Sequence, residues 1–239
     1  MGRGHFPDNL TCGWYNSPIV FCHNKLTSQE HGGGYGTPPS VDHLRGTNYK
    51  LAPGTAIWLT GLPSSGKTTL AESLALSLKQ HGAPVEVLDG DEIRRSISVD
   101  LGFSAKDRQE HARRVIFLSK LLARNGVNVV VPLISTYRET TELARQELER
   151  FVEVYVKCPL EECIRRDVKG LYARAIRGEI TEFTGISDPY EPPDSPEVTV
   201  ETDILSEDEC CQLILAAVPE LAPQGYSNNG LMTKSVPGQ

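Results

Sequence analysis

Gly61-Leu62-Pro63-Ser64-Ser65-Gly66-Lys67-Thr68 carries the densest chemistry in the sequence. Two glycines at this spacing, the second followed by Lys and a hydroxyl residue, match a loop that binds phosphate. Glycine lets backbone N–H groups turn inward around phosphate oxygens, and a helix starting there adds the positive end of its dipole. Gly61, Ser64, Ser65, Gly66 and Thr69 are expected around the phosphates of ATP. Lys67 would reach the β- and γ-phosphates, and Thr68 would give its hydroxyl to Mg²⁺.

Asp89-Gly90-Asp91 follows the second apolar run, with Arg94 a turn later. Two carboxylates at the end of a strand beside a phosphate loop suit a metal ion or a general base. A hydroxyl that attacks a γ-phosphate has to lose a proton, and a nearby Asp can take it. Asp-Gly is also a common turn dipeptide, so an ordinary Asx turn is the plain alternative.

Ser104 and Asp107 have capping-box spacing and predict a helix start. Along that helix, Arg108 and His111 continue the stripe of Val115, Leu118 and Leu122, which points both polar groups inward at the end of a cleft. An imidazole titrates near pH ~6.5, so the KM for an acceptor with an anionic end is expected to change between pH ~6 and ~8. Arg165, Arg166, Lys169, Arg174 and Arg177 crowd a short stretch further on, as in a lid that closes over phosphates. Phe183, beside Thr184-Gly185, is a candidate for stacking on a base, although Phe more often belongs to a core.

The elements that must hold these groups alternate. Apolar runs at 55–60, 85–88, 127–134, 151–157 and, more weakly, 198–201 predict strands. Helical periods lie between them, at Leu70, Leu74, Leu78 before Gly82 and at Val115, Leu118, Leu122 before Gly126. The fold class is therefore α/β, a mainly parallel sheet of about five strands with helices on both faces. Ligands of such sheets bind beyond the carboxyl ends of the strands.

In 239 residues there is room for one good core with extensions. Residues 1–53, rich in Gly, Pro, Asn and His, predict a low-structure N-terminal extension, 54–220 the nucleotide-binding domain, and 221–239 a flexible tail. Net charge is −7, which disfavours nucleic acid as a partner, and no apolar run is long enough to cross a membrane. Neither a secretory signal nor a myristoylation motif is recognisable. Six cysteines without framework spacing fit a reducing, cytoplasmic setting. Cys12, Cys22, His23 and His31 lack the regular spacing of a zinc site.

Taken in order, Asp89-Gly90-Asp91-Glu92-Ile93-Arg94, Leu101-Gly102-Phe103-Ser104, Arg113-Arg114, Lys169-Gly170-Leu171-Tyr172, Phe183-Thr184-Gly185-Ile186 and Pro189-Tyr190-Glu191 resemble the adenylylsulfate kinase family. The resemblance runs from about Gly54 to Pro219. It implies a P-loop kinase fold with a helical lid, a usual homodimer, and transfer of phosphate from ATP to the 3′-hydroxyl of adenylyl sulfate in sulfate activation. By that resemblance Asp89 lies near the 3′-hydroxyl with Asp91 beside it, and Arg94 and Arg108 hold the phosphosulfate. Phe103 and Phe183 would sandwich the adenine, Ile134-Ser135 would line the acceptor, and Lys169 would approach the phosphates.

Five positions depart from the family pattern. His111 stands where Asn is common, Thr136 where Pro is common, and Pro132-Leu133 where residues are smaller. Ile176 takes the place of a lid arginine. The altered acceptor contacts keep open a related kinase acting on another nucleotide with a modified phosphate. From a different class, a nucleotide-binding regulatory module without turnover is the other alternative.

Overall fold

Strand β1 (Ala56–Thr60) has no exposed residue, because both of its faces are covered. Ile57 and Leu59 enter one core and Ala56 and Trp58 the other, as the two-residue period of a strand requires. These features come from a computed structural model, which describes residues 51–221. The expected extension and tail, with Cys12, Cys22, His23 and His31, lie outside the described residues except at 51–53 and 221.

The chain continues with α1 (Lys67–Gln80), β2 (Val85–Val87), α2 (Gly90–Ser96), α3 (Ala105–Ala123), β3 (Asn128–Pro132) and α4 (Arg138–Glu147). It ends with β4 (Phe151–Lys157), α5 (Leu160–Arg166), α6 (Leu171–Ile176), β5 (Val198–Glu201) and α7 (Glu207–Ala216). The five strands form one parallel sheet in the order β2-β3-β1-β4-β5. Parallel strands buried on both faces read as near-continuous apolar runs, which is why 55–60 and 127–134 were visible in the sequence.

Helices α1 and α7 cover one face through Leu70, Leu74, Leu78, Ile214 and Leu215. Helices α3 and α4 cover the other with Val115, Ile116 and Ala144 around Trp58 and Val131. A third, smaller cluster of Cys158, Cys163, Tyr172, Ala175 and Phe183 forms the core of the lid. Each strand thus delivers its C-terminal end to one edge, and the loops there carry the chemistry.

The buried side of α3 is rotated from the expected stripe. Ala112, Val115, Ile116, Ser119 and Ala123 face the sheet with His111, while Leu118 and Leu122 are only partly covered. The stripe followed the larger apolar residues, whereas the helix approaches closely through its small ones.

Candidate active site

The chain leaves β1 at Gly61 and re-enters helix at Lys67. Gly66 caps α1 in the left-handed region at φ 99°, a conformation open to glycine at little steric cost. The Lys67 ammonium lies inside the loop, donating to Gly61 O at 2.9 Å, Leu62 O at 2.6 Å and Ser65 Oγ at 3.3 Å. Burial pushes its pKa down to about 8. Ser65 is fully buried, and its carbonyl accepts from Thr202 Oγ1 at 2.8 Å. Thr68 and Thr69 are exposed on the first turn of α1, at the mouth of the loop.

Asp89 caps α2. Its Oδ1 accepts from the amides of Asp91 at 2.9 Å and Glu92 at 3.0 Å, which satisfies two orphan donors of the first turn. The Asx turn and the candidate base are therefore the same residue. Among the described residues Oδ2 has no hydrogen-bond partner. Asp91 forms an ion pair with Lys169 of the lid.

Arg94 lies over the ring of Phe103, 4.7 Å from its centroid, and donates to Gly102 O at 2.7 Å. Phe103 is 66% exposed, as a stacking platform needs to be. Phe183 is 9% exposed and packs edge-on against Tyr172, with ring centroids 5.0 Å apart. Its partner is thus the lid core, and the plain reading of a core Phe applies to most of its surface.

Arg108 is the most heavily bonded side chain of the cleft. It donates to Phe103 O at 2.8 Å, Thr184 Oγ1 at 2.9 Å, Asp188 Oδ2 at 2.7 Å, Thr136 Oγ1 at 3.4 Å and the Glu182 carbonyl. The residue expected to hold phosphosulfate thereby also ties α3 to the 182–188 segment. Thr136 adds a hydroxyl to that clamp and lies 3.2 Å from Thr184 Oγ1. Ile134 O accepts from Thr60 Oγ1 at 2.8 Å, and Ser135 Oγ accepts from the Trp58 indole N–H at 2.8 Å.

His111 departs from its expectation. It is 2% exposed, and its Nδ1 lies 3.1 Å from Ser98 Oγ. Burial, followed by the charge of Arg94, pushes the pKa down to about 4. The imidazole is therefore neutral from pH 6 to 8, and the expected change of acceptor affinity across that range does not arise from it. An imidazole surrounded by water would have titrated there; this one is enclosed between α2 and α3.

The lid arginines divide differently from expectation. Arg165 and Arg166 pair with Glu162, and Arg174 and Arg177 with Glu179. Only Lys169 reaches a carboxylate of the site. Arg166 also donates to Thr202 O at 2.8 Å, which puts it behind the phosphate loop. Tyr172 Oη donates to Pro63 O at 3.1 Å and joins lid to loop.

Thr202, Thr184 and Asp188 were missed from sequence. The rule that ligands bind beyond strand ends pointed to Thr202, the residue after β5. Thr184 and Asp188 gave no signal, since their role depends on a contact with Arg108 far away in sequence. Outside glycine, positive φ among the described residues occurs at Ser64 (59°), Ser135 (49°), Asp167 (20°) and Glu182 (55°). All four belong to the loops and lid around this cleft, where strained backbone commonly accompanies function.

Residues 53–201 match the family model of adenylylsulphate kinase. An adenylyl-sulfate kinase of Chloroflexus aurantiacus is 52% identical over 168 residues, covering 70% of this chain and 90% of the relative. One from Picosynechococcus is 51% identical over 168 residues, covering 70% and 95%. Among solved structures, the Mycobacterium tuberculosis APS kinase CysC in complex with AMPPNP and APS aligns with a TM-score of 0.68 at 42% identity, over 70% of this chain and 98% of that one.

Proposed function

The chain belongs to the adenylylsulphate kinase family, and from that premise we infer that it transfers the γ-phosphoryl group of ATP to the 3′-hydroxyl of adenylyl sulfate, giving ADP and 3′-phosphoadenylyl sulfate. The observation that carries the mechanism is the Asp89 carboxylate, one oxygen of which caps α2 while the other has no partner among the described residues. Oδ2 takes the proton of the 3′-hydroxyl as its oxygen bonds to the γ-phosphorus. The bridging bond to the β-phosphate breaks, and ADP leaves with that electron pair.

Lys67 turns from the loop carbonyls to the β- and γ-phosphates, which Gly61, Ser64, Ser65, Gly66 and Thr69 surround. Lys169 exchanges Asp91 for a phosphate when nucleotide arrives, so the ion pair sets the resting position of the lid. Arg94 and the Nη2 N–H that Arg108 keeps free hold the phosphosulfate, and Phe103 takes the adenine face with Phe183 as its opposite wall. Ile134 and Ser135 shape the floor through the turn bonded to Thr60 and Trp58.

Magnesium fits this site. Thr68 would hold it through an exposed hydroxyl beside the loop, with nucleotide phosphates and waters supplying the remaining ligands. When bound, it neutralises charge that builds on the phosphates during transfer.

The alternative acceptor rested on His111 and Thr136. Since His111 is buried against Ser98 and Thr136 serves the Arg108 clamp, neither observation favours it. A homodimer in the cytoplasm completes the proposal; Cys158, Cys163, Cys210 and Cys211 are free thiols, as a reducing compartment allows. The test is purified protein with Mg-ATP and adenylyl sulfate, read by mass spectrometry. The expected product is 3′-phosphoadenylyl sulfate with equimolar ADP. ADP formed only with a different nucleotide would overturn the acceptor, and no ADP with any nucleotide would overturn the kinase.

A further inference from the structure

The first turn of α2 has little room to move. A Cβ on Gly90 would clash with Leu133 Cδ1 at 2.6 Å and would meet His111 Nε2 at an ordinary contact distance of 3.6 Å, so these two side chains line the backbone between Asp89 and Asp91 and leave no space for a larger residue there. The imidazole is itself fixed, because its Nδ1 bonds Ser98 Oγ, and Ser98 is 1% exposed. Its Nε2 is buried and, among the described residues, has no partner in good hydrogen-bond geometry, although the Gly90 backbone lies beside it and favours its protonated form.

Native folds seldom leave a buried polar atom unpaired, and one facing a catalytic turn calls for an explanation. We propose that His111 is a positioning residue for phosphoryl transfer: pinned by Ser98, its imidazole sets the place of the α2 first turn and thereby aims the Asp89 carboxylate. This inference rests on the role given to Asp89 above and adds a residue that touches neither substrate.

The tautomer follows from the partners. If the Ser98 hydroxyl donates to Nδ1, Nε2 carries the hydrogen and points it at the Gly90 backbone, whose carbonyl is the nearest polar group of that turn able to accept it. An Asn side chain at this position would be too short to reach where Nε2 lies, whereas Gln is long enough. Leu133 lines the same Gly90 from the β3 side.

The test uses the full-length protein and the variants His111→Ala, His111→Gln and Ser98→Ala. Two measurements are made, steady-state kinetics with Mg-ATP and adenylyl sulfate and amide hydrogen exchange without substrate. His111→Ala is expected to lower kcat by about 30-fold while both KM values stay within about threefold, the pattern of a misaimed group rather than a lost contact. Exchange at the Asp91 and Glu92 amides, which donate to Asp89, should speed up about tenfold, while β1 amides keep their protection. Ser98→Ala should shift both readouts in the same direction by less, and His111→Gln should recover part of kcat.

A tenfold rise in the KM for adenylyl sulfate at unchanged kcat would overturn the proposal and make His111 an acceptor contact. So would unchanged exchange at Asp91 and Glu92 in His111→Ala, whatever happens to kcat. If the Ala variant does not fold, the Gln and Ser98→Ala proteins carry the same two readouts. If the wild type makes no 3′-phosphoadenylyl sulfate, the proposed function fails, yet the exchange experiment still decides whether His111 holds the turn.

Discussion

The Lys67 ammonium is solvated by the loop's own oxygens, and burial has brought its pKa down to about 8. Bound phosphates favour the charged ammonium, so nucleotide binding takes up a proton wherever free Lys67 is neutral. Affinity for ATP is accordingly expected to be highest below pH 8 and to weaken as pH rises through it, approaching about tenfold per pH unit. Titrations of ATP between pH 7.5 and 9.5 check this, and Lys67→Ala should bind weakly with no such slope and show no kinase activity. Asp89→Asn separates the two duties of Asp89. The amide oxygen can still accept from Asp91 and Glu92, so the cap and ATP binding should persist, whereas kcat should fall by about 10²–10⁴ because no base remains. Near-normal turnover would move the base to Asp91. These residues were legible in the sequence because a phosphate loop and an Asp-Gly-Asp turn are local patterns. His111 was legible as inward-pointing but not as enclosed, since burial depends on α2, which packs on it from elsewhere.

At the scale of elements, the Arg108 clamp joins α3 to the 182–188 segment through Thr136, Thr184 and Asp188. Both members of the Arg108–Asp188 pair are mostly shielded. Removing the carboxylate leaves a shielded guanidinium short of a partner. Asp188→Ala is therefore expected to lose about 1–3 kcal/mol of unfolding free energy in urea, and Thr184→Val less. Strands β1 and β3 were readable because burial on both faces keeps them nearly continuously apolar. Helix α4 was not, as it turns Thr140, Thr141 and Ala144 inward and has no large apolar residue among its buried positions. Helix α7 had a usable signal that was passed over: Ser206 and Glu209 form a full capping box.

For the molecule as a whole, every side chain assigned to the cleft lies between residues 61 and 202, on one edge of a single sheet. Deleting residues 1–50 is expected to leave kcat/KM within about threefold of the full chain, because their sequence has no apolar periodicity with which to join the core. A tenfold loss would bring the extension into the site. The non-glycine residues at positive φ give this edge another property. Ser64, Ser135 and Glu182 hold left-handed backbone that β-branched side chains resist and that Gly or Asn accepts more readily. In a library of all single substitutions, these three positions should prefer Gly and Asn and reject Val, Ile and Thr, the reverse of the preference inside the neighbouring strands. Substitution tolerance would then trace the outline of the cleft without any substrate being named.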